Sequence, residues 1–315
     1  MNTLEKKVRV GIPRALLYHK YGKMWENFFR GLGAQVITSP ETNKETVARG
    51  GRLSIDESCL SVKIFTGHLD WLRDKCDVVF IPNVACLHRN EEMCVKFMAL
   101  VDIARNIFPE MKIIEYTVNA ENFQTEAMGM FKAGMAVTRD PLRVIRSYLS
   151  AKAEWRRAIR EKNAAQEDKI KEVKENDKLA ILVVSHPYTT YDNFLGKPII
   201  DGLGKLGAEV IYSDRMESNK AKKLSLNLSK TLYWTYHKEL LGAAEYYKDM
   251  VDGIVFLTTF PCGPDALAVT LCQNKISGVP SIIITLDELE SRVGLQTRLE
   301  SFVDVINLRK CRKKK

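Results

Sequence analysis

Gly253-Ile254-Val255-Phe256-Leu257-Thr258-Thr259-Phe260 is an eight-residue apolar run, and Cys262-Gly263-Pro264-Asp265 follows it almost at once. A short run without polar alternation, rich in β-branched and aromatic residues and bounded by a turn signal, predicts a strand buried on both faces. Gly263 permits a tight turn and Pro264 suits the start of a helix. The pair of segments therefore predicts strand, turn and helix, with Cys262 at the carboxyl end of the strand and at the positive end of the helix.

The same grammar extends in both directions. Towards the amino terminus, Leu179–Val184 and Ala208–Tyr212 read as strands, and Pro280–Thr285 follows as another. Earlier still, Val8–Pro13, Ala34–Thr38, Asp77–Pro82 and Met111–Tyr116 form a similar series, interleaved with helical spacing over Tyr21–Leu32 and Val62–Leu72, and with a helix after Cys94. Gly33 supplies the stop after the first helix. Between the two series, Pro141–Asp177 is a charge-laced helical stretch with Leu149, Trp155 and Ile159 on its apolar side. The expected architecture is two Rossmann-like α/β domains with parallel central sheets facing across a cleft, joined by a long helical segment. Its divisions are residues 1–140, carrying Cys59 and Cys94, the connecting segment 141–178, and residues 179–315, carrying Cys262.

Composition limits the classes of function. A chain of 315 residues with 45% apolar and 28% charged residues has the make-up of a globular protein with room for two cores. The opening Met1–Lys7 lacks the apolar core of a secretion signal, and no apolar run approaches the roughly 18 residues of a membrane span, so a cytoplasmic protein is expected. Seven cysteines, an odd number, do not suit a disulfide framework in a reducing compartment. The formal charge of +9 gathers in the central helix and the tail Arg309–Lys315, without interleaved aromatics or a glycine-rich basic loop, which argues against nucleic acid. Such a field suits an acidic redox partner or an anionic substrate. The first strand-turn lacks both the dinucleotide glycine fingerprint and a Gly-Lys-Thr phosphate loop, so intrinsic use of NAD or ATP is not expected.

Several blocks then carry a resemblance: Gly11-Ile12-Pro13-Arg14-Ala15-Leu16, Asp56-Glu57-Ser58-Cys59, Gly67-His68, Cys94-Val95-Lys96-Phe97, His186-Pro187-Tyr188, Cys262-Gly263-Pro264-Asp265 and Thr297–Phe302. In this order they resemble proteins related to the 2-hydroxyacyl-CoA dehydratases, specifically a stand-alone form of the domain associated with CoA-enzyme activases. The resemblance implies an oxygen-sensitive protein of anaerobic metabolism with an iron-sulfur cluster, a 4Fe–4S cubane or a double-cubane derivative, on Cys59, Cys94 and Cys262. In dehydratase relatives the cluster receives an electron from an ATP-hydrolysing activator and passes it to an acyl-CoA thioester, whereas double-cubane relatives reduce small molecules. A homodimer and an activase or reductase partner are implied as well. The chain departs from the pattern at Leu60-Ser61 and at Val95, where relatives have proline, and at Leu289, where relatives often have histidine.

Three thiolates suit a cubane because soft ligands suit iron, and a fourth iron is left available to a small ligand. Cys86 is the rival to Cys94, since its loop follows a strand; Cys76 and Cys272 read as core residues, and Cys311 lies in the basic tail. His186 is a candidate for hydrogen bonding to cluster sulfur or for proton transfer, and Tyr188 for orienting a ligand. The alternative is a rigid proline turn with a half-buried aromatic. Arg14, after the first strand, is a candidate contact for an anion or thioester, while His68 reads as a packed helix position, and Arg298 with Glu300 as a structural ion pair. Two functions remain open: an enzyme using an open cluster iron, or a non-catalytic cluster carrier for an activase system.

Overall fold

The computed structural model describes residues 7–288 and 292–313. Leu289, the opening segment to Lys6 and the tail end Lys314-Lys315 lie outside them. Two compact units are present: one holds the described residues up to Ala158 with Tyr233–Thr235, the other Ile159–Leu232 with the remainder from Tyr236.

The first unit runs β1 (Arg9–Ile12), α1 (Tyr18–Gly31), β2 (Gln35–Thr38), α2 (Lys44–Leu53), α3 (Leu60–Leu72), β3 (Val78–Cys86), the single turn α4 (Val95–Met98), α5 (Leu100–Ile107), β4 (Ile113–Asn119), α6 (Glu126–Met135) and then α7 (Pro141–Glu175). The second runs β5 (Leu179–Val184), α8 (Pro187–Thr190), α9 (Lys197–Lys205), β6 (Ala208–Tyr212), α10 (Ser218–Ser225), α11 (Thr235–Tyr247), β7 (Gly253–Thr259), α12 (Gly263–Lys275), β8 (Ser281–Leu286) and α13 (Arg292–Lys313). Each unit contains a four-stranded, wholly parallel sheet, ordered β2-β1-β3-β4 and β6-β5-β7-β8. The two Rossmann-like sheets are connected by α7, as the alternation of apolar runs and amphipathic helices predicts. Both have the same order, a likeness that the sequence shows no repeat to announce.

Burial follows position in the sheet. Every residue of β7 is buried, because it lies between β5 and β8, whereas the edge strand β4 alternates buried and partly exposed residues. The core of the first unit is aromatic: Phe80 on β3 lies 5.1 Å from both Trp25 and Phe29 of α1 and 5.7 Å from Tyr116 of β4, centroid to centroid. Gly33 ends α1 at φ 87°, a backbone conformation that glycine adopts without a Cβ clash.

α3 is buried nearly all round, from Leu60 to Leu69. It approaches α2 backbone to backbone through Gly50 and Gly67: a Cβ on Gly50 would meet the Lys63 carbonyl, and one on Gly67 the Thr46 carbonyl. In α7 the expected apolar side is half-buried at Trp155 and Ile159 but misplaced at Leu149. Leu149 is 59% exposed, and Val144, Tyr148 and Ala151 are the buried residues in its first half. Leu149 follows Tyr148 by one position, about 100° around the helix. Trp155 is half-buried and donates its Nε1–H to the Lys20 carbonyl at 2.9 Å. Further along, Gln166, Ile170 and Val173 face the second unit's core. Gln166 accepts the Tyr212 N–H at 2.8 Å, and its amide donates to the Tyr212 carbonyl at 2.9 Å and the Tyr247 hydroxyl at 3.0 Å.

Candidate functional site

In an open parallel sheet the chain reverses its winding direction between the two central strands, and the carboxyl ends of those strands border a crevice. In the second unit these strands are β5 and β7. The end of β5 is pinned by Ser185, whose hydroxyl donates to the Leu257 carbonyl at 2.6 Å and whose carbonyl accepts from Ser213 Oγ at 3.3 Å. His186 comes next, in extended backbone at the N-cap of α8, with Pro187 opening that helix and the His186 carbonyl accepting from the Thr189 and Thr190 N–H groups. After β7 the chain passes Phe260-Pro261 and enters α12 at Cys262, its N-cap, with Pro264 and Asp265 in the first turn.

Asp265 points inward. Its Oδ1 lies 3.0 Å from His186 Nε2 and 2.8 Å from His237 Nε2, and the two imidazole nitrogens are 3.4 Å apart. All three residues are buried, with no more than 4% of any exposed. His186, His237 and Asp265 thus form a three-ligand metal-binding motif. Burial opposes charge on the carboxyl, yet the two imidazoles bonded to it hold Asp265 well below the usual carboxylate range. Burial likewise lowers His237, more than its bond to Asp265 raises it. The His186 ring stacks on Tyr188, with centroids 4.9 Å apart and planes 17° apart, and meets His237 edge-on at 4.7 Å. A cavity of about 10 Å³ borders His186, Asp265 and Cys272 and is otherwise mostly apolar. That is room for a water at most.

The predicted cysteine ligands share one local geometry. Cys59 is the N-cap of α3, Cys94 of α4 and Cys262 of α12; each is in non-helical backbone, each is half-buried, and none of the thiols caps its helix. α3 and α12 present the positive ends of their dipoles at Cys59 and Cys262, while the single turn α4 contributes little. Cys59 and Cys94 belong to the first unit and Cys262 to the second. The other thiols differ. Cys86 is buried at the end of β3, donating to Asn119 Oδ1 at 3.2 Å and lying 3.4 Å from the Glu121 N–H that points to it. Cys76 is half-buried and donates to the Leu72 carbonyl, Cys272 is buried within α12, where burial pushes its thiol up to about 12, and Cys311 is exposed on α13. Cysteine sulfur at half-buried turn positions is chemically suited to an iron-sulfur group, whereas Cys86 is buried.

Tyr188 is half-buried beside His186. Arg14 lies past the end of β1, where its backbone N–H donates to Ser39 Oγ at 2.8 Å and its Nε to the Ser39 carbonyl at 3.1 Å. Its guanidinium thereby ties the ends of β1 and β2 together. His68 is fully buried in α3, 3.0 Å from Thr42 Oγ1 through Nε2, the packed helix position that its sequence context indicates. Arg298 donates to the Ile283 carbonyl, and Glu300 accepts from Gln296 at 2.8 Å. His237 was not legible as a candidate. It stands alone in Thr235-Tyr236-His237-Lys238, 51 residues from His186 and 28 from Asp265, and no spacing links them. The two histidines of the second unit nevertheless meet on one carboxylate.

The fold and site define a two-unit parallel α/β protein with a buried His/His/Asp metal-binding motif in its second unit. The chain matches the family model of the CoA enzyme activase uncharacterised domain (DUF2229) over residues 9–216, more than half its length, and it belongs to that family. Cys59, Cys94 and His186 fall within the matched span; His237, Cys262 and Asp265 lie beyond it. No curated protein matches the chain. Among the described residues, no helix is long and apolar enough to cross a membrane.

Proposed function

We propose that the chain is a non-catalytic electron-transfer component that carries an iron-sulfur cluster on Cys59, Cys94 and Cys262 for an ATP-dependent activase or a reductase. The observation that carries this reading is the shared placement of the three cysteines, each half-buried at the N-cap of a helix. Family membership supports the activase association. A cubane held there would supply a low-potential one-electron carrier. The thiolates would hold it, and the N–H groups opening α3 and α12 would stabilise negative charge at Cys59 and Cys262. His186 is engaged by Asp265 and Tyr188 by its stack on His186, so these two side chains serve the order of the second unit before any proton transfer.

The enzymatic reading, reduction or dehydration of a small molecule or acyl-CoA, requires a ligand chamber beside the chemistry. The cavity bordering His186 and Asp265 is about 10 Å³, too small for an organic ligand, so these two residues do not line such a chamber. The carrier reading takes the protein to be cytoplasmic, since reduced thiols require a reducing compartment, and carries over the homodimer that the resemblance implies. Anaerobic reconstitution followed by iron and sulfide analysis tests it, with electron paramagnetic resonance before and after reductant. Wild type is expected to hold a stoichiometric cluster that accepts one electron, and Cys262→Ser to hold less or give an altered signal. Wild type without stoichiometric iron and sulfide would end the proposal; a signal that changes on addition of an acyl-CoA would return the enzymatic reading.

A further inference from the structure

We propose that His186 Nε2, His237 Nε2 and Asp265 Oδ1 bind one borderline divalent cation, zinc or ferrous iron, inside the second unit. This ion is separate from any cysteine-held cluster, and it fixes the start of the helix that carries Cys262.

The first argument is geometric. The three donor atoms make a triangle with sides of 2.8, 3.0 and 3.4 Å. Ligands about 2.0–2.1 Å from a cation are roughly 2.9 Å apart at the corners of an octahedron and roughly 3.3 Å apart at those of a tetrahedron. Adjustments of a few tenths of an ångström therefore close these atoms around an ion. Two imidazole nitrogens and one carboxylate oxygen are a donor set for zinc or ferrous iron; calcium and magnesium prefer all-oxygen shells.

The second argument is electrostatic. Asp265 is 4% exposed, and among the described residues its side-chain partners are the two imidazoles. A buried carboxylate needs a cationic counterpart or several donors. Here a single oxygen faces both nitrogens, which crowd to 3.4 Å. A shared cation gives both Nε2 lone pairs and the carboxylate one common target.

The ion would join three separate segments: the N-cap of α8 shortly after β5, the first turn of α11, and the first turn of α12. Asp265 lies three residues beyond Cys262, so fixing its carboxylate fixes the turn that presents the thiol.

The test uses the full chain with Cys59→Ser, Cys94→Ser and Cys262→Ser together, which removes the proposed cluster ligands. Serine is a favourable N-cap, so these changes keep the helix starts. After chelator treatment, zinc or ferrous iron is returned anaerobically and measured by metal analysis and X-ray absorption. One ion per chain is expected, with nitrogen and oxygen neighbours at about 2.0–2.1 Å and no sulfur near about 2.3 Å. His237→Gln in the same background is expected to weaken binding on the order of 100-fold or more, since even indirect supporting groups account for about 10- to 100-fold. Should that variant fold poorly, the absorption spectrum of the triple variant decides. Sulfur in the shell, or less than stoichiometric metal after saturation, would overturn the proposal and leave an imidazolium-carboxylate pair as the account of the triad. Loss of the cluster in wild type leaves this test unaffected, so the two proposals fail separately.

Discussion

His68→Gln should remove a defined part of the protein's acid sensitivity. His68 is fully buried, and burial, with His19 and Arg14 adding to it, lowers its pKa to about 3 from an unperturbed value of 6.5. The folded chain therefore holds this ring neutral while the unfolded chain protonates it as pH falls through 6.5. Stability from His68 is fully present above that pH and is lost progressively down to about pH 3, at up to about 1.4 kcal/mol per pH unit. Between pH 7 and pH 5 the loss integrates to about 2 kcal/mol. Glutamine does not titrate, and its amide offers Thr42 a hydrogen-bond partner in place of Nε2, now 3.0 Å from Thr42 Oγ1. All four tryptophans, Trp25, Trp71, Trp155 and Trp234, lie in the first unit with His68, so urea unfolding followed by tryptophan fluorescence reports on the right core. Comparison of each chain with itself at pH 7 and pH 5 cancels any constant cost of the substitution. The wild-type loss should exceed the variant loss by about 2 kcal/mol. Equal losses in the two chains would refute the neutral buried ring as a source of acid sensitivity.

Gly50→Ala should destabilise the first unit by on the order of 3 kcal/mol, because the new methyl meets the Lys63 backbone carbonyl and α2 must move away from α3; thermal unfolding by tryptophan fluorescence reads this. Gln166→Leu should cost about 1–3 kcal/mol by removing the buried amide that accepts from the Tyr212 N–H and donates to its carbonyl, while keeping the volume of the side chain. Circular dichroism during denaturation, which follows both units, should show the loss in the second unit with the first-unit tryptophan transition unchanged. A shift below about 0.5 kcal/mol in either variant would contradict the packing described.

The local signals were legible because strand and helix identity depends on neighbours in sequence. Leu179–Val184 and Ala208–Tyr212 have the bounds their apolar runs indicate, and Gly253–Thr259 is the fully buried central strand its composition requires. Gly263 and Pro264 announced α12, thereby placing Cys262 at its N-cap, and the ordered blocks from Gly11 onward pointed to the family. Phase errors arose where burial depends on a partner surface, as at Leu149, exposed while Tyr148 beside it is buried. Sheet order and the site partners were decided by tertiary structure. The crossover from β5 to β6 and back to β7 brings His186 and Asp265 to adjacent strand ends, and α11 delivers His237 from a helix whose sequence carries no metal-ligand spacing. Periodicity records which side of an element is buried; which residues meet there depends on the path of the chain between elements, and that path leaves no periodic trace.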